Sequence, residues 1–412
     1  MNQPGQTVAI VDWYWQGHHP TFFNQFILAL EELGVDVVAL CPSPEEAELA
    51  AEQNRKPAEE GSLRLGKTVF GKVTMALPRF MNLRPARIGV IDWTIRQFRG
   101  IEGQVKQLAA KSGRKVSAIF YACMYDFDFD WISAATPFLK IPRSGLYLHA
   151  TSYRRPGVPH PGTGRVYNPE KMFGSRLCRA IGILDEAIVE QVSKSIGKPV
   201  VVLPDLTDGR FELEEEQHTI TNRLKHFAAG RPIIGLFGHL QKSKGVLDFL
   251  EAAKQPEASG ICFALGGEMA WSTFRDDLNQ LQDLLAQCEN LWTHLARIPD
   301  GDHMNSLLHS CDVLFASYRD FPHSSNIMTK AAVLRKPLIV SDGYLMADRV
   351  RRFRMGEVVA QGDSQALLEV ALKIIKDPNG WIQGNQPQWE AYRREHSFER
   401  LKASLSSLLS HL

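Results

Sequence analysis

The sequence has little that would place it in a membrane, on nucleic acid or in an oxidising compartment. No apolar run reaches the roughly 18 residues that span a bilayer. Its 47 basic and 46 acidic residues leave a formal net charge of +1, so no basic field favours nucleic acid. The six cysteines form no C-x-x-C pair, which disfavours a zinc site or a disulfide framework. Residues 1–6 lack the charged start and apolar stretch of a signal peptide, so we expect a cytoplasmic protein with buried thiols.

What the chain does have is length and a regular alternation of patterns. Its 412 residues exceed what one compact core holds and predict two domains. Short apolar, β-rich runs alternate with longer helical patterns, which is typical of parallel strands covered by helices on both faces. The runs lie at residues 8–11, 35–40, 118–121, 145–148, 181–184 and 200–203, and then at 233–237, 261–265, 291–295, 312–316 and 337–340.

The alternation restarts after a polar, acidic stretch, which divides the chain. We expect an acceptor-side domain at residues 1–207 and a nucleotide-sugar-binding domain at residues 208–389. The predicted fold class is α/β, with two Rossmann-like doubly wound domains that face a cleft. In such sheets ligands bind outside the carboxyl ends of the strands, so the loops that follow strands decide the chemistry.

Residues 67–87 have no clean period and leave two interpretations open. The mixture of apolar and basic side chains fits an acceptor-side loop. It also fits a surface helix with a buried stripe, and general experience with amphipathic segments favours the helix.

The loop after the first strand, residues 12–20, is rich in aromatic residues and contains Gly17. Glycine permits a tight turn, and the free amides of the helix expected from about Thr21 suit an anion. The alternative is an aromatic turn that plugs the end of the sheet. The loop is not G-x-G-x-x-G, so a nicotinamide dinucleotide site is unsupported.

The loop after the first strand of the second half, residues 237–245, carries a stronger pattern. Gly238, His239, Lys244 and Gly245 stand between a strand and a helix expected from Val246. A lysine at this point neutralises a pyrophosphate group while glycines let the backbone approach it. The alternative is a solvated, lysine-rich turn.

This loop resembles the glycine–arginine–lysine–glycine loop of family 4 glycosyltransferases, which are retaining enzymes of GT-B fold. Lys244 and Gly245 match the motif, whereas His239 stands where the family has arginine. Residues 356–363 and 398–401 resemble later segments of the family, including a final helix that returns to the first domain, here residues 390–412. The resemblance implies sugar transfer, of hexosyltransferase type, from a nucleotide-diphosphate sugar to a hydroxyl acceptor, with retention. The sugar nucleotide would be a co-substrate, and no other cofactor is expected.

The family's donor motif, two glutamates separated by seven residues, is broken in this sequence. Lys330 falls where the second, ribose-binding glutamate stands, and Asp320 lies two places too early for the first. Ser324, Ser325 and Asn326 precede a helix and offer hydroxyls and amides that suit phosphate. The alternative is that these three residues only cap the helix.

On the acceptor side, His149 ends a predicted strand and resembles the family's strand-end histidine near the reacting sugar. His149 and Lys244 are therefore the candidate catalytic residues. Asp126, Asp128 and Asp130 form a D-x-D pattern that suits manganese, or else a solvated strand edge. Because the resembled fold does not rely on D-x-D, we expect no metal.

Two other functions stay open at this stage. A non-catalytic GT-B-fold protein that binds nucleotide or sugar is favoured by Lys330 and His239 and disfavoured by Lys244 and His149. A nucleotide-sugar epimerase is a second alternative. The acceptor is a saccharide, a lipid-linked sugar or a small molecule, and a peripheral contact with the inner face of the membrane stays open with it.

Overall fold

Two units make up the chain in a computed structural model that describes residues 6–15, 17, 19–55, 65–76, 86–125, 132–148, 150–155, 169–207 and 219–412. Unit 1 comprises Met1–Pro204 and Ser397–Leu412, and unit 2 comprises Asp205–His396. The units thus divide at 204/205 and 396/397, compared with the 207/208 and 389/390 expected from the sequence.

Unit 1 is built on a parallel sheet with the strand order β3-β2-β1-β4-β5-β6-β7. Its strands are β1 (Thr7–Val11), β2 (Asp36–Cys41), β3 (Thr68–Lys72), β4 (Ala118–Met124), β5 (Arg143–Tyr147), β6 (Ile181–Ile183) and β7 (Val200–Val202). Its helices are α1 (His19–Glu32), α2 (Pro44–Asn54), α3 (Ala86–Lys111), α4 (Ile132–Ala135), α5 (Pro169–Phe173), α6 (Val189–Ile196) and, from the end of the chain, the last helix (Phe398–Leu409).

Unit 2 repeats the plan with a second parallel sheet in the order β10-β9-β8-β11-β12-β13. Its strands are β8 (Ile233–Phe237), β9 (Cys262–Gly266), β10 (Leu291–His294), β11 (Val313–Ala316), β12 (Leu338–Ser341) and β13 (Gly356–Val359). Its helices are α7 (Thr219–Ala228), α8 (Val246–Ala253), α9 (Leu278–Gln287), α10 (Asp302–Ser310), α11 (Ile327–Leu334), α12 (Leu345–Phe353), α13 (Ser364–Lys376), α14 (Pro378–Asn385) and α15 (Trp389–Glu395).

The central strands are buried throughout their length, which explains why they appear in the sequence as continuous apolar runs. In each sheet the chain starts at a central strand, builds outward on one side, and then returns to build on the other. The order therefore reverses between β1 and β4 in unit 1 and between β8 and β11 in unit 2. The predicted α/β class with two doubly wound domains is confirmed.

Two local predictions were wrong. Within residues 67–87, Thr68–Lys72 forms the edge strand β3 instead of a surface helix, and its half-exposed residues show no apolar run. Helix α1 begins at His19 and not near Thr21. All six cysteines are buried and free, as expected. No described helix is long and apolar enough to cross a bilayer.

A buried ion pair ties helix α3 to the neighbouring strands of unit 1. Arg143 is fully buried on β5, and its Nη2 donates to Glu102 Oε2 on α3 at 2.7 Å. Arg143 also donates to the hydroxyl of Tyr121 on β4. Burial raises the pKa of Glu102, but hydrogen bonds from Lys106 and the backbone N–H of Lys140, with the charge of Arg143, outweigh burial and lower it.

We expect Glu102→Gln to lower the free energy of unfolding by about 3–5 kcal/mol, because Arg143 would keep a buried charge without its counterion. A carboxyl with a lowered pKa stabilises the fold above its ordinary value of 4.5 and loses that contribution as the pH falls. The difference between wild type and variant should therefore shrink in acid. Chemical denaturation at neutral and acid pH measures it. Glu399→Gln is the control, because this exposed carboxylate pairs with Lys402, which keeps Glu32 as a second partner. Equal stability of Glu102→Gln and wild type would contradict the expectation.

Candidate functional site

Two loops of unit 2 meet at the point where the strand order reverses. Loop 238–245 follows β8 and loop 317–326 follows β11, and these strands are neighbours. The backbone N–H of Arg319 donates to the carbonyl of Ser243 at 2.8 Å. Gly245 has a φ of +72°, and a Cβ there would lie 2.3 Å from the carbonyl oxygen of Ser317. Glycine at 245 is therefore what allows the two loops to touch.

The first of these loops is also anchored to the end of β9. Gly238 has a φ of +117° and donates its N–H to Gly266 O at 3.0 Å. A Cβ at Gly267 would lie 1.7 Å from Gly238 O, so these two glycine backbones are in close contact. His239 follows directly and is exposed. The loop is thus fixed at its start by backbone contacts, while its histidine faces solvent.

Near the end of the first loop, Lys244 places its ammonium group against two aromatic rings of the second. Its Nζ lies 3.9 Å from the ring centroid of Tyr318 and 4.2 Å from that of Phe321. The two rings pack edge to face with centroids 5.0 Å apart. A cation in this position is attracted by the negative faces of the rings.

Burial lowers the pKa of Lys244 to about 7. In the part of the chain that the structure describes, no carboxylate pairs with this ammonium group, whereas neighbouring Lys242 pairs with Asp277 at 2.5 Å. Aromatic faces offset only part of the cost of removing a charge from water. Lys244 is therefore a cation that a bound anion would stabilise.

The start of the helix after β11 is held by a buried polar network. Ser324 donates to the carboxyl of Asp205 and accepts from Arg349 Nη1 at 2.7 Å. Burial raises the pKa of Asp205, and the bond from Ser324 and the charge of Arg349 oppose this rise. Asn326 carries no side-chain capping bond. Its amide accepts from Thr207 Oγ1 at 2.8 Å and donates to Leu206 O at 2.7 Å.

Ser325 connects this segment to the lysine. It is hydrogen bonded to the hydroxyl of Tyr318, whose pKa burial raises to about 12. The structure therefore brings Lys244 and Ser325 to Tyr318, one at its ring and the other at its hydroxyl. Ser324 and Asn326 hold the loop in place through their bonds to residues 205–207.

Asp320 and Lys330, the two residues aligned with the broken glutamate motif, have other partners. Asp320 is exposed and accepts from the hydroxyl of Tyr344 at 2.8 Å. Lys330 is only 6% exposed, and its Nζ lies 2.8 Å from both Asn305 Oδ1 and Asp300 Oδ1. Lys330 is therefore turned into the protein and not towards solvent.

In unit 1, several residues named from the sequence lie outside the described residues. These are His149 and the three aspartates Asp126, Asp128 and Asp130. Gly17 is described: it has a φ of +60°, and nothing lies within 4 Å of where its Cβ would be. Its left-handed backbone is thus the reason for glycine, rather than a close approach.

A cluster that the sequence analysis missed lies at the carboxyl ends of β1 and β4. Asp12 follows β1 directly, and its Oδ2 lies 2.8 Å from His19 Nδ1. His19 Nε2 lies 2.9 Å from the hydroxyl of Tyr125, which follows β4. An aspartate after the first strand and a histidine seven residues later were visible in the sequence. The tyrosine, 106 residues beyond His19, was not a visible partner.

The same cluster contains the described group whose atoms are placed to hold a metal. One ligand atom each from Asp12, His19 and Cys123 lie within 4.8 Å of one another. Burial and the charge of Asp12 raise the pKa of the Cys123 thiol well above its usual value. Both ring nitrogens of His19 already have protein partners, Asp12 and Tyr125, so we assign no metal here.

Comparisons with known proteins give a fold. No family model matches the chain, and no curated protein matches its sequence. A glycosyltransferase from Rickettsia africae ESF-5 matches with a TM-score of 0.68 at 11% identity, over 99% of this chain and 98% of that one. Anabaena Alr3699/HepE in complex with UDP and glucose matches with a TM-score of 0.65 at 12% identity, over 99% of this chain and 100% of that one. Sucrose-phosphate synthase from Thermosynechococcus elongatus matches with a TM-score of 0.65 at 14% identity, over 98% of each chain. The chain has the GT-B fold.

We expect Lys244→Met to raise the melting temperature of unit 2, because it removes a half-buried charge that no carboxylate of the described residues offsets. A lysine with a lowered pKa destabilises the folded state as the pH falls from its ordinary value of 10.5 towards about 7. The advantage of the variant should be largest at or below neutral pH and should vanish in strong alkali. Thermal denaturation across this range measures it. Lys242→Met is the control, and a variant less stable than wild type at every pH would contradict the assignment.

Proposed function

We propose that the protein transfers a sugar from a nucleotide-diphosphate sugar to a hydroxyl acceptor, with retention of anomeric configuration. The observation that carries the proposal is the ammonium of Lys244, desolvated between Tyr318 and Phe321 without a carboxylate partner in the described chain. It stands at the reversal of strand order, where open parallel sheets bind ligands.

A diphosphate leaving group is the anion that this arrangement suits. Negative charge builds on the oxygen between sugar and phosphate as that bond breaks, and a fixed cation stabilises it. Because the pKa of Lys244 is lowered to about 7, a bound diphosphate would raise this pKa and keep the ammonium group charged. Gly238 begins the same loop, and Ser325 is hydrogen bonded to the hydroxyl of Tyr318.

The comparisons support this proposal through the fold. One of the matched structures, Anabaena Alr3699/HepE, holds UDP and glucose, and another is named a sucrose-phosphate synthase. The resemblance of residues 237–245 to family 4 glycosyltransferases points to the same donor class. We infer a hexosyltransferase whose acceptor is a saccharide, a lipid-linked sugar or a small molecule.

A second candidate is a protein that binds the nucleotide without turning it over. The engagement of Lys330 with Asp300 and Asn305 favours it, because a lysine cannot accept the hydrogen bonds that a ribose hydroxyl donates. Turnover separates the two candidates, since both predict nucleotide binding.

We expect UDP-, ADP- or GDP-sugars to raise the melting temperature of the wild-type protein, since a ligand of the native state stabilises it. Lys244→Ala should reduce turnover by about 10²–10³-fold, the usual cost of removing one group that stabilises a developing charge. Release of nucleoside diphosphate from each sugar nucleotide, followed with purified protein, measures this.

Lys242→Ala is the matched control, because Lys242 lies in the same loop and already has Asp277 as partner. The proposal fails if no sugar nucleotide changes the melting temperature or is cleaved. Binding without cleavage would favour the non-catalytic candidate, and unchanged turnover in Lys244→Ala would remove Lys244 from the site.

Lys330 is expected to influence which donor is preferred. Lys330→Ala releases Asp300 from its ion pair, and Lys330→Glu places a second negative charge beside it. Both should change the ranking of donors, and Lys330→Glu should penalise a donor with an acidic sugar most, through charge repulsion. Titration of wild type and both variants with neutral and acidic sugar nucleotides tests this. An identical ranking in all three would place Lys330 outside the site.

A further inference from the structure

A buried lysine of unit 2 holds a carboxylate that is open to solvent. Lys330 lies on α11 and is 6% exposed, whereas the side chain of Asp300 is 44% exposed. Lys330 Nζ lies 2.8 Å from Asp300 Oδ1 and 2.8 Å from Oδ1 of Asn305 on α10. The ammonium group is therefore fixed from two sides, and one of its two partners is a carboxylate that a ligand can reach.

Asp300 belongs to a row of loops that follow neighbouring strands of one sheet. It lies in the loop between β10 and α10. His294, the last residue of β10, accepts at its carbonyl from the N–H of Gly267 at 2.9 Å, and the backbone of Gly267 is in contact with that of Gly238. Gly238 begins the loop that carries Lys244. The loops after β10, β9 and β8 are thus joined at the carboxyl ends of their strands, where parallel sheets bind ligands.

Stability alone does not account for a lysine at position 330. Taking an ammonium group out of water carries a penalty, and replacing a buried ion pair by well-packed apolar side chains is often neutral or stabilising. An apolar residue would fill the space between α10 and α11 without that penalty. What the lysine adds is a fixed position for the carboxylate of Asp300.

The carboxylate of Asp300 keeps unused capacity to accept hydrogen bonds. Its Oδ1 receives one bond, from Lys330, and among the described residues no second group is bonded to this side chain. An ionised carboxylate has about four sites at which it can accept. Its negative charge repels phosphate, whereas the ammonium group of Lys244 attracts it. A ligand that uses both residues therefore has an anionic part at Lys244 and an uncharged part with hydroxyl groups at Asp300.

We propose that Asp300 binds neighbouring hydroxyl groups of the sugar nucleotide and that Lys330 is the positioning residue that holds its carboxylate. This inference rests on the donor class of the proposed function, and it requires binding but not turnover. The hydroxyl groups belong to the ribose or to the sugar to be transferred. A lysine at position 330 is then compatible with a donor site, because Asp300 supplies the acceptor that the lysine itself cannot provide.

The test measures affinity by titration calorimetry with ligands that differ by one hydroxyl group. The tightest binder among UDP, ADP and GDP is compared with its 2′-deoxy and 3′-deoxy analogues. We expect the loss of a hydroxyl to weaken binding to wild type by about 10–100-fold, the usual value of a hydrogen bond to a charged group. Asp300→Ala should bind the nucleotide and its analogues equally. A merely structural role of Asp300 would lower all these affinities together and leave their ratios unchanged.

A second series of ligands distinguishes the ribose from the transferred sugar. The corresponding glucose nucleotide is titrated together with its 2-, 3- and 4-deoxyglucose analogues. If Asp300→Ala removes the discrimination among the ribose analogues, the carboxylate binds the ribose. If it removes the discrimination only among the glucose analogues, the carboxylate binds the sugar to be transferred. Both results support the inference.

Lys330→Met tests the positioning role, because it removes the ammonium group and leaves the carboxylate in the chain. It should bring the affinity ratios close to those of Asp300→Ala, and the double variant should show no further change, as is expected of two residues that act as a unit. Asp283→Ala, at an exposed aspartate on α9, is the control and should keep the wild-type ratios. Melting temperatures show which variants are folded, and Asp300→Asn, which keeps the size of the side chain, takes the place of Asp300→Ala if the latter unfolds.

The outcomes separate the inference from the function on which it rests. Equal affinity of wild type for the parent ligands and all their deoxy analogues overturns the inference and leaves the donor class standing. Wild-type ratios in a folded Asp300 variant have the same meaning. Wild-type ratios in Lys330→Met, with altered ratios in Asp300→Ala, remove the positioning role of Lys330 and keep Asp300 in the site. A wild-type protein that binds no nucleotide and no sugar nucleotide overturns the proposed function and the inference together.

Discussion

Both candidate sites depend on one constraint. In each sheet two neighbouring strands pair in parallel, while the segments that follow them lead to opposite sides of the sheet. β1 pairs with β4, and β8 pairs with β11, although each pair is far apart in sequence. Because the strands are parallel, their carboxyl ends meet at one edge. The residues that follow them must therefore lie side by side. This brings Asp12 to Tyr125 in unit 1 and loop 238–245 to Tyr318 in unit 2.

The two sites differ in the partners that they give to a charge removed from water. In unit 1 the carboxylate of Asp12 has a histidine and a backbone N–H as partners. In unit 2 the ammonium of Lys244 has aromatic faces, and desolvation lowers its pKa. The surrounding loop is held by strong contacts, among them the network of Asp205, Ser324 and Arg349. A stable frame thus supports one group that is unfavourable by itself, as is common where proteins exchange stability for function.

Most of the fold could be predicted from the sequence, because buried parallel strands appear in it as continuous apolar runs. The strand β3 could not be predicted in this way, because it lies at the edge of the sheet and its half-exposed residues show only a weak alternation of apolar and polar types. Lys244 could be found because its evidence is local: glycine, lysine and glycine between a strand and a helix. The partners of Lys330 could not be predicted from the sequence, since Asp300 and Asn305 approach it only through the packing of α10 against α11. The cluster of Asp12, His19 and Tyr125 joins His19 to a residue 106 positions away, and only the strand order brings the two together.

The interrupted path of the chain has a consequence for synthesis. Unit 2 is one continuous stretch, Asp205–His396, whereas unit 1 needs its final helix, Phe398–Leu409. This helix binds back through Lys402 to Glu32 at 2.8 Å and through Ser404 to the carbonyl of Val202 at 2.8 Å. A ribosome delivers residues in order and domains fold as they emerge. The unit that begins the chain is therefore the one completed last, and its seven-stranded sheet must wait for its last covering helix until the whole of unit 2 has been made.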